Sequence, residues 1–228
     1  MTNEQLLAAV NLIVNGDAGA WRQGYYDVLF RQAMDSRKLD GVPLLDYDYA
    51  RRDLLYGHVN NEVLGNRAVD YLEFGVAGGQ SLGNWLARNQ HPESRFFGFD
   101  TFEGLPENWL ADRPRGSFST KGAIPAIPDP RVRFVKGLFQ ETLPGFLKWF
   151  KPRNQLVVHI DCDLFSASLY ALMALDHLMA KGTVILFDEF LPKDEFAAFH
   201  TYAETCYRTW EVLVSRRDLV KLAIRLTS

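Results

Sequence analysis

The stretch that decides the fold is Tyr71-Leu-Glu-Phe-Gly-Val-Ala-Gly-Gly-Gln-Ser81, an apolar run that leads into a glycine-rich turn and an amphipathic segment, residues 82–88. Gly75, Gly78 and Gly79 lack a Cβ, so a ligand can approach the backbone and the chain can adopt positive φ where a strand reverses into a helix. The pattern predicts a strand, a ligand-binding turn and a helix. The alternative is an ordinary tight turn without a ligand.

The turn differs from two familiar nucleotide-binding sequences. No Gly-Lys-Ser/Thr follows it, as a Walker loop requires, and Ala77 occupies the second glycine position of the dinucleotide fingerprint Gly-x-Gly-x-x-Gly. Glu73, near the end of the strand, would repel a pyrophosphate but can accept hydrogen bonds from a cationic or hydroxyl-bearing ligand. The amino acid part of S-adenosylmethionine is such a ligand.

Bulk properties predict one soluble domain. The chain has 228 residues, 47% of them hydrophobic, and 25 Lys and Arg against 28 Asp and Glu give a formal net charge of -3. This charge balance does not indicate binding to nucleic acid or to an anionic membrane. Cys162 and Cys206 have no metal-finger spacing. The N-terminus lacks a basic leader region and no apolar run approaches the ~18 residues that span a bilayer, so we expect a cytoplasmic protein without nucleic-acid or membrane partners.

Strand and helix patterns alternate from residue 68 onward, which predicts a doubly wound α/β domain with a mainly parallel, seven-stranded sheet. Two helices, residues 3–16 and 21–34, precede it, and residues 51–64 form a further short helix or loop. We expect a single domain, with residues 1–64 as a helical cap and 65–228 as the α/β core. The predicted strands are 68–76, 95–102, 132–135, 156–161, 183–188 and an antiparallel pair, 210–215 and 220–226; the predicted helices are 80–88, 142–150, 168–180 and 196–207.

Residues 103–130 form a long irregular segment that contains Trp109 and Phe118. An irregular segment of this length in a compact domain more often covers a binding site than merely connects two elements, so we expect a lid. The two aromatic rings either stack on a bound ligand or pack within the loop itself.

Acidic residues end several of the predicted strands. In an open α/β sheet, ligands bind outside the carboxyl ends of the strands. Asp100 is placed there to accept hydrogen bonds from the two hydroxyls of a ribose, which predicts a nucleoside ligand. The spacing from Glu73 suits a nicotinamide dinucleotide or S-adenosylmethionine, and Ala77 together with Glu73 favours the second.

Asp161, Asp188 and Glu189 would occupy one small volume if their strands are neighbours. Three unpaired carboxylates at that range raise one another's pKa or require a cation. A hard divalent ion, Mg²⁺ or Mn²⁺, would satisfy an all-oxygen ligand set. The alternative is that Lys181, Lys193 or an arginine pairs with these acids.

Further motifs follow the turn in order: Phe97-Gly-Phe-Asp-Thr-Phe-Glu-Gly-Leu-Pro-Glu107, Phe134-Val-Lys-Gly-Leu-Phe-Gln-Glu-Thr-Leu-Pro144, and His159-Ile-Asp-Cys-Asp-Leu-Phe165 with Leu186-Phe-Asp-Glu-Phe190. With residues 73–81 they resemble the macrocin O-methyltransferase (TylF-like) family. These are class I S-adenosylmethionine-dependent enzymes that methylate sugar hydroxyls of macrolide and aminocoumarin antibiotics. The resemblance covers about residues 65–195.

The resemblance implies a metal-assisted O-methyltransferase that acts on a hydroxyl of a sugar or a glycosylated natural product. Asp161, Asp188 and Glu189 match the metal ligands, and Asp163 matches the proposed general base, so Asp161 and Asp163 are the candidate catalytic residues. The chain departs from the family where the acidic pair is Asp-Glu in place of the usual Asp-Asp, and where Cys162 replaces a common Gly. We expect the cofactor to contact Glu73, Gly75, Val76, Gly79, Ser81, Asp100, Thr101, Phe102 and Phe139.

Several alternatives stay open. His159 is a second candidate base, although a histidine on a buried strand is also explained by core packing. The enzyme could be a catechol-type metal-dependent O-methyltransferase, or the chain a non-catalytic S-adenosylmethionine-binding partner subunit. A nicotinamide-dependent oxidoreductase would need a tighter glycine fingerprint and a Tyr-x-x-x-Lys proton donor, and neither is present. The aromatic N-terminal helices also suggest a homo-oligomer.

Overall fold

The computed structural model describes residues 18–35 and 39–228, and within these ranges eight strands form one sheet. The strands are β1 (Leu44–Leu45), β2 (Val69–Phe74), β3 (Arg95–Asp100), β4 (Val132–Lys136), β5 (Gln155–Ile160), β6 (Val184–Phe187), β7 (Trp210–Arg216) and β8 (Leu222–Leu226). The α-helices are α1 (Ala18–Ala33), α2 (Asp53–His58), α3 (Gln80–Arg88), α4 (Phe139–Leu147), α5 (Phe165–Leu175) and α6 (Glu195–Thr205). Short helical turns occupy Tyr49–Arg51, Val59–Val63 and Asp176–Leu178.

The strand order is β1-β7-β8-β6-β5-β2-β3-β4. Neighbouring strands are parallel except at β8, which runs antiparallel to both β6 and β7. The order reverses at β2, which pairs with β3 on one side and with β5 on the other. A crevice therefore opens at the carboxyl ends of β2 and β5, where ligands bind in doubly wound sheets. This architecture confirms the predicted α/β class.

The sheet has one strand more than predicted. Leu44 and Leu45 pair in parallel with Ser215 and Arg216 of β7. Two residues are too few to show an alternating pattern, and they lie within the segment for which we predicted a helical cap, so periodicity could not identify them. The predicted helix at residues 3–16 lies outside the described residues. None of the described helices is long and apolar enough to cross a membrane.

Both faces of β2 are buried, and side-chain alternation divides its residues between two layers. On one face Tyr71 packs against Trp85 of α3, with ring centroids 4.9 Å apart. On the other face Phe74 stacks on Phe99 at 4.8 Å and contacts Phe139 of α4 at 5.2 Å. Burying an aromatic side chain of this size contributes about 1.5–3 kcal/mol, so the position of β2 is strongly fixed.

Two aromatic residues of α1, Tyr26 and Phe30, pack within the molecule, whereas Tyr25 is 47% exposed. Phe30 lies 5.1 Å from Phe196 of α6 and 6.2 Å from Phe190, measured between ring centroids. The Tyr26 hydroxyl lies 3.4 Å from the Thr201 hydroxyl. This face of α1 is core packing, as one of our interpretations held, and the predicted homo-oligomer stays a prediction.

Candidate active site

The carboxyl ends of the four central parallel strands are level with one another. The amide of Gly75 donates to the Phe99 carbonyl at 3.0 Å, that of Asp161 to the Phe74 carbonyl at 2.9 Å, and that of Asp188 to the Ile160 carbonyl at 3.0 Å. This register brings the glycine turn and the strand-end acids to one edge of the sheet.

A cavity of about 710 Å³ opens at this edge. Its volume lies within the range of about 300–1,000 Å³ that small-molecule sites occupy. Its walls come from the glycine turn, the strand-end acids, the loop after β3 and the segment before α2. The lining residues include Tyr49, Arg52, Gly75, Val76, Gly78, Ser81, Asp100, Thr101, Trp109, Arg113, Phe118, Phe139, Asp161, Asp163, Asp188 and Glu189.

The glycine turn packs directly against the end of β5. Gly75 has φ +93, and a Cβ at this position would lie 1.7 Å from the carbonyl oxygen of Asp161. Gly79 has φ +79, and its Cβ would lie 3.1 Å from the Pro125 side chain. Positive φ favours glycine at both positions, and the close approach admits no side chain at Gly75. The turn thus holds Asp161 at the cavity wall.

The Asp100 carboxylate stabilises the turn. Its Oδ2 accepts hydrogen bonds from the amides of Val76 at 2.7 Å and Ala77 at 2.8 Å, and its Oδ1 accepts one from the amide of Phe102 at 2.7 Å. A carboxylate offers about four acceptor positions. The predicted bidentate contact with a ribose therefore requires the ribose hydroxyls to replace at least one backbone donor.

The predicted cofactor contacts divide into two groups. Gly75, Val76, Ser81, Asp100, Thr101 and Phe139 line the cavity. Glu73, Gly79 and Phe102 are absent from its lining in the described part of the chain. Gly79 lies beneath the loop at Pro125, and Phe102 is buried with its ring 6.1 Å from that of Phe134.

Glu73 belongs to a buried polar group behind the cavity wall. It is 0% exposed. The Tyr71 hydroxyl donates to Glu73 Oε2 at 2.5 Å and lies 2.7 Å from His159 Nδ1. Glu73 Oε1 has no hydrogen-bond partner within residues 18–35 and 39–228. An unpaired buried carboxylate oxygen is costly.

Asp161 and Asp188 converge, as the sequence predicted, and His159 joins them. One potential ligating atom from each of the three lies within 4.8 Å of the others. Glu189 lines the cavity outside this group, and its amide donates to Glu195 Oε2 at 2.9 Å. Successive side chains at the end of a strand point in opposite directions, which explains why Asp188 and Glu189 separate.

Two buried cations accompany these acids. The sequence allowed an arginine partner without identifying Arg52, and it did not identify Lys221. Lys221 forms an ion pair with Asp188, and Arg52 Nη1 lies 3.9 Å from Asp161 Oδ2. Lys181 and Lys193, the lysines that we considered, do not take these places. Burial tends to raise the pKa of Asp188, but the nearby Lys221 ammonium brings it below its usual value. Burial and the Asp188 carboxylate raise the pKa of Asp161 well above its usual value.

Asp163 lines the cavity in a strained backbone conformation, with φ +62. Burial, followed by the Glu189 and Asp188 carboxylates, raises its pKa to about 7. A carboxyl group with this pKa is poised to exchange a proton near neutral pH.

His159 and Cys162 are less suited to react with a ligand. His159 is 1% exposed, and its ring packs against Tyr56 at 5.5 Å between centroids. The Cys162 sulfur is buried and lies 3.3 Å from the Ser168 hydroxyl oxygen. Of the two candidate bases, Asp163 and His159, Asp163 is therefore the better placed.

Residues 103–130 form one wall of the cavity. Leu105 exchanges backbone hydrogen bonds with Ser117 and Gly116, both at 2.9 Å, which folds the loop back on itself. Trp109 Nε1 donates to Asp194 Oδ2 at 2.8 Å, so this ring is anchored to the segment before α6. The Phe118 side chain also lines the cavity and is 51% exposed. The loop lines the site, and the predicted lid stays a prediction.

Comparison with known proteins identifies the family. A family profile described as "Methyltransferase domain" matches residues 72–190, more than half of the 228 residues. The chain belongs to this methyltransferase family. The match does not extend to the narrower TylF-like group, which stays a prediction.

One curated relative of this methyltransferase is an enzyme of Streptomyces olivaceus named 8-demethyl-8-(2,3-dimethoxy-alpha-L-rhamnosyl)-tetracenomycin-C 4'-O-methyltransferase. It is 28% identical over 155 residues, which cover 58% of this chain and 57% of the relative. The chain therefore spans little more than half the length of that protein.

Two solved structures share the fold of this methyltransferase. The calicheamicin methyltransferase CalS11 superposes with a TM-score of 0.62 and 21% identity, covering 97% of this chain and 91% of that chain. The O-methyltransferase NovP superposes with a TM-score of 0.58 and 19% identity, covering 78% and 80%.

Proposed function

We propose that this methyltransferase transfers a methyl group from S-adenosylmethionine to a hydroxyl of a sugar or glycosylated small molecule. The observation that carries the proposal is a single cavity lined by both the glycine turn and Asp163, so that a cofactor and a base meet in one chamber. The name of the Streptomyces olivaceus relative, which acts on a rhamnosyl-bearing tetracenomycin, supports the class of acceptor.

The residues of the turn fit this cofactor. A Cβ built at Gly78 would meet nothing within 4 Å, so a ligand can lie against the backbone there. Val76, Ser81 and Thr101 would hold the cofactor from the cavity wall, and Phe139 would contact it from α4. Glu73 is fully buried behind the cavity wall, so its predicted contact with a cationic group of the cofactor stays a prediction. When bound, the cofactor supplies an electrophilic sulfonium methyl group.

Asp163 is the proposed general base. It would accept the proton of the acceptor hydroxyl while the oxygen forms its bond to the methyl carbon, whose bond to the sulfonium sulfur breaks to leave a neutral thioether. General-base catalysis of this kind contributes about 10²–10⁴-fold to the rate. Trp109 and Phe118 would orient the acceptor, because both line the cavity.

The divalent ion implied by the resemblance is a separate hypothesis. The convergence of His159, Asp161 and Asp188 supports it, because their ligating atoms lie close together. The proposed set with Glu189 is not assembled, and the Lys221 ammonium already pairs with Asp188. The donor set as it stands does not fit a divalent ion, and no step of the reaction proposed above requires one.

Calorimetric titration with S-adenosylmethionine and with NADH, followed by turnover assays, tests the proposal. We expect the first to bind and the second not to bind. Glycosylated acceptors should gain one methyl group on a sugar oxygen, located by NMR, whereas their aglycones should not react. Methylation of catechols alone would favour the catechol-type alternative. Cofactor binding without turnover on any acceptor would favour the partner-subunit alternative.

A further inference from the structure

The register of the sheet places Lys221 beside Asp188. Strand β8 runs antiparallel to β6, and Leu222 pairs with Phe187. The residue before Leu222 therefore lies next to the residue after Phe187. Lys221 Nζ forms an ion pair with Asp188 Oδ2 and donates to the Asp188 backbone carbonyl at 2.9 Å. Both side chains are almost fully buried, with exposed fractions of 4% and 3%.

Arg52 has an equivalent position beside Asp161. Its Nη1 donates to the Ser81 hydroxyl at 3.0 Å, and that hydroxyl donates to Asp161 Oδ2 at 3.3 Å. Arg52 and Lys221 also share one aromatic ring. The Arg52 guanidinium carbon lies 3.9 Å, and Lys221 Nζ 4.7 Å, from the centroid of Tyr49. Cation–π contacts of this kind help to hold desolvated cations in place.

Asp188 thus has a buried cation in direct contact, and Asp161 has one 3.9 Å away. A buried lysine is stable in its charged form only while it is paired, so the Lys221 ammonium and the Asp188 carboxylate depend on each other. A divalent ion at Asp188 would compete with the ammonium for Oδ2 and would be repelled by a second positive charge nearby. The ammonium therefore disfavours a second cation at this carboxylate.

We propose that Lys221 is the resident cation of this site: it neutralises Asp188 in place of a divalent metal ion, and methyl transfer proceeds without added metal. The statement that methyl transfer needs no added metal rests on the proposed function. The statement that Lys221 neutralises Asp188 does not. Lys221 is a positioning residue, because it contacts Asp188 and is not among the described residues that line the cavity.

The first test uses the unmodified protein. Electron paramagnetic resonance of Mn²⁺ mixed with the protein should show free ion only, and turnover should be unchanged in excess EDTA. Bound Mn²⁺ that is lost in Asp188→Asn would overturn the proposal. Loss of turnover in EDTA with recovery on addition of Mg²⁺ would overturn it equally.

The second test removes the ammonium. Lys221→Ala leaves Asp188 unpaired and opens space beside it, so this variant should bind Mn²⁺. Its metal-free turnover should fall by about 10–100-fold, the range for residues that support a ligand set, and should recover with Mg²⁺ or Mn²⁺. Lys221→Arg keeps the charge and should stay independent of metal. If Lys221→Ala binds no Mn²⁺ while it remains folded, or if Lys221→Arg becomes metal-dependent, the proposal is wrong.

Lys193→Ala is the matched control. Lys193 lies 3.9 Å from Asp194, has a side chain that is 39% exposed, and forms no ion pair with Asp188 in the described part of the chain. It should change neither Mn²⁺ binding nor the effect of EDTA. Should Lys221→Ala fail to fold, the unmodified protein and Lys221→Arg still decide the question. Absence of turnover under every condition would reject the proposed function, whereas Mn²⁺ binding would still test Lys221.

Discussion

Asp163 combines two features that cost stability. Its backbone is left-handed at φ +62, and burial with the neighbouring acids raises the pKa of its carboxyl group to about 7. Strained conformations and perturbed pKa values of this kind cluster at functional sites. Asparagine tolerates the same backbone conformation and has the same shape, but it cannot accept a proton at the side chain. Asp163→Asn therefore removes the proton acceptor while it keeps the shape and backbone conformation of the residue.

Asp163→Asn should lower turnover by about 10²–10⁴-fold, the usual contribution of a general base, and should leave cofactor affinity unchanged. It should also raise the melting temperature at pH 8. A carboxyl group whose pKa is raised on folding costs stability once the pH exceeds its unfolded value, and this cost grows as pH rises through about 7. Asp46→Asn, at a side chain that is 81% exposed, is the control and should change neither quantity. Full turnover in Asp163→Asn would remove Asp163 from the mechanism.

The pH dependence of kcat should report the same group. Because the base must be unprotonated, kcat should rise about tenfold per pH unit below about 7 and level off above it. The measurement is steady-state turnover from pH 5.5 to 9 at saturating cofactor and acceptor. A profile without this inflection, or one that persists unchanged in the residual activity of Asp163→Asn, would assign the proton to another residue.

At the scale of elements, local patterns predicted the centre of the molecule well. The helical spacing of the apolar residues, together with the glycines before them, predicted the observed limits of α3, Gln80–Arg88. Strand ends marked by acids led to the cavity and to the convergence of Asp161 with Asp188. Helix α4 begins at Phe139, three residues before the predicted start, because Pro144 is tolerated inside the helix and not only in its first turn.

What the sequence could not reveal depends on contacts between distant segments. Arg52 precedes the glycine turn, and Lys221 follows the last turn of the chain; neither carries a local pattern that points to the acids. Their positions follow from the insertion of β8 beside β6 and from the packing of α2 on α3. The location of Glu73 behind the cavity wall likewise depends on the faces that β2 presents to its neighbouring layers.

Gly75→Ala tests the contact between the turn and β5. The new Cβ would lie 1.7 Å from the Asp161 carbonyl oxygen at a backbone φ of +93. Overpacking together with left-handed strain should cost about 3 kcal/mol, or about 6–12 °C in melting temperature, and should abolish cofactor binding. Gly78→Ala is the control for stability, because a Cβ there meets nothing within 4 Å. Equal melting temperatures for the two variants would show that the turn moves freely relative to β5.

Trp109→Phe tests the anchor of the loop. It removes the hydrogen bond from Nε1 to Asp194, which has a length of 2.8 Å. Bonds to charged groups contribute about 1.5–3 kcal/mol, so amides of residues 103–130 should exchange hydrogen faster by about tenfold or more, and the KM for the acceptor should rise. Trp149→Phe is the control, because the Trp149 side chain lies just after α4 and is 53% exposed. Unchanged exchange in Trp109→Phe would mean that other contacts fix the loop.

For the molecule as a whole, the buried carboxylate of Asp70 anchors the sheet at the end away from the cavity. Asp70 is 0% exposed and accepts two hydrogen bonds from Arg95, both at 2.7 Å. It also accepts hydrogen bonds from the amides of Arg153 at 2.6 Å and Asn154 at 3.1 Å. One carboxylate thereby links the start of β2 to β3 and to the segment before β5.

Asp70→Asn should destabilise the protein at pH 7 by about 3 kcal/mol, or about 6–12 °C in melting temperature, because Arg95 loses its partner. Although burial opposes it, the Arg95 guanidinium and the Arg153 and Asn154 amides lower the pKa of Asp70. A lowered pKa contributes stability that is full above the unfolded value of about 3.9 and is lost as pH falls through the folded value. Thermal unfolding from pH 7 to 2.5 should therefore show the two proteins converging below about pH 4. A constant difference would assign the effect to shape and not to charge.

The two outer strands of the sheet have a consequence for behaviour at high concentration. At one border β1 offers only Leu44 and Leu45, and at the other β4 carries exposed Arg133 and Lys136. Very short or positively charged border strands are poor templates for the backbone of another molecule. These borders therefore resist the stacking of one copy onto the next that leads to fibres.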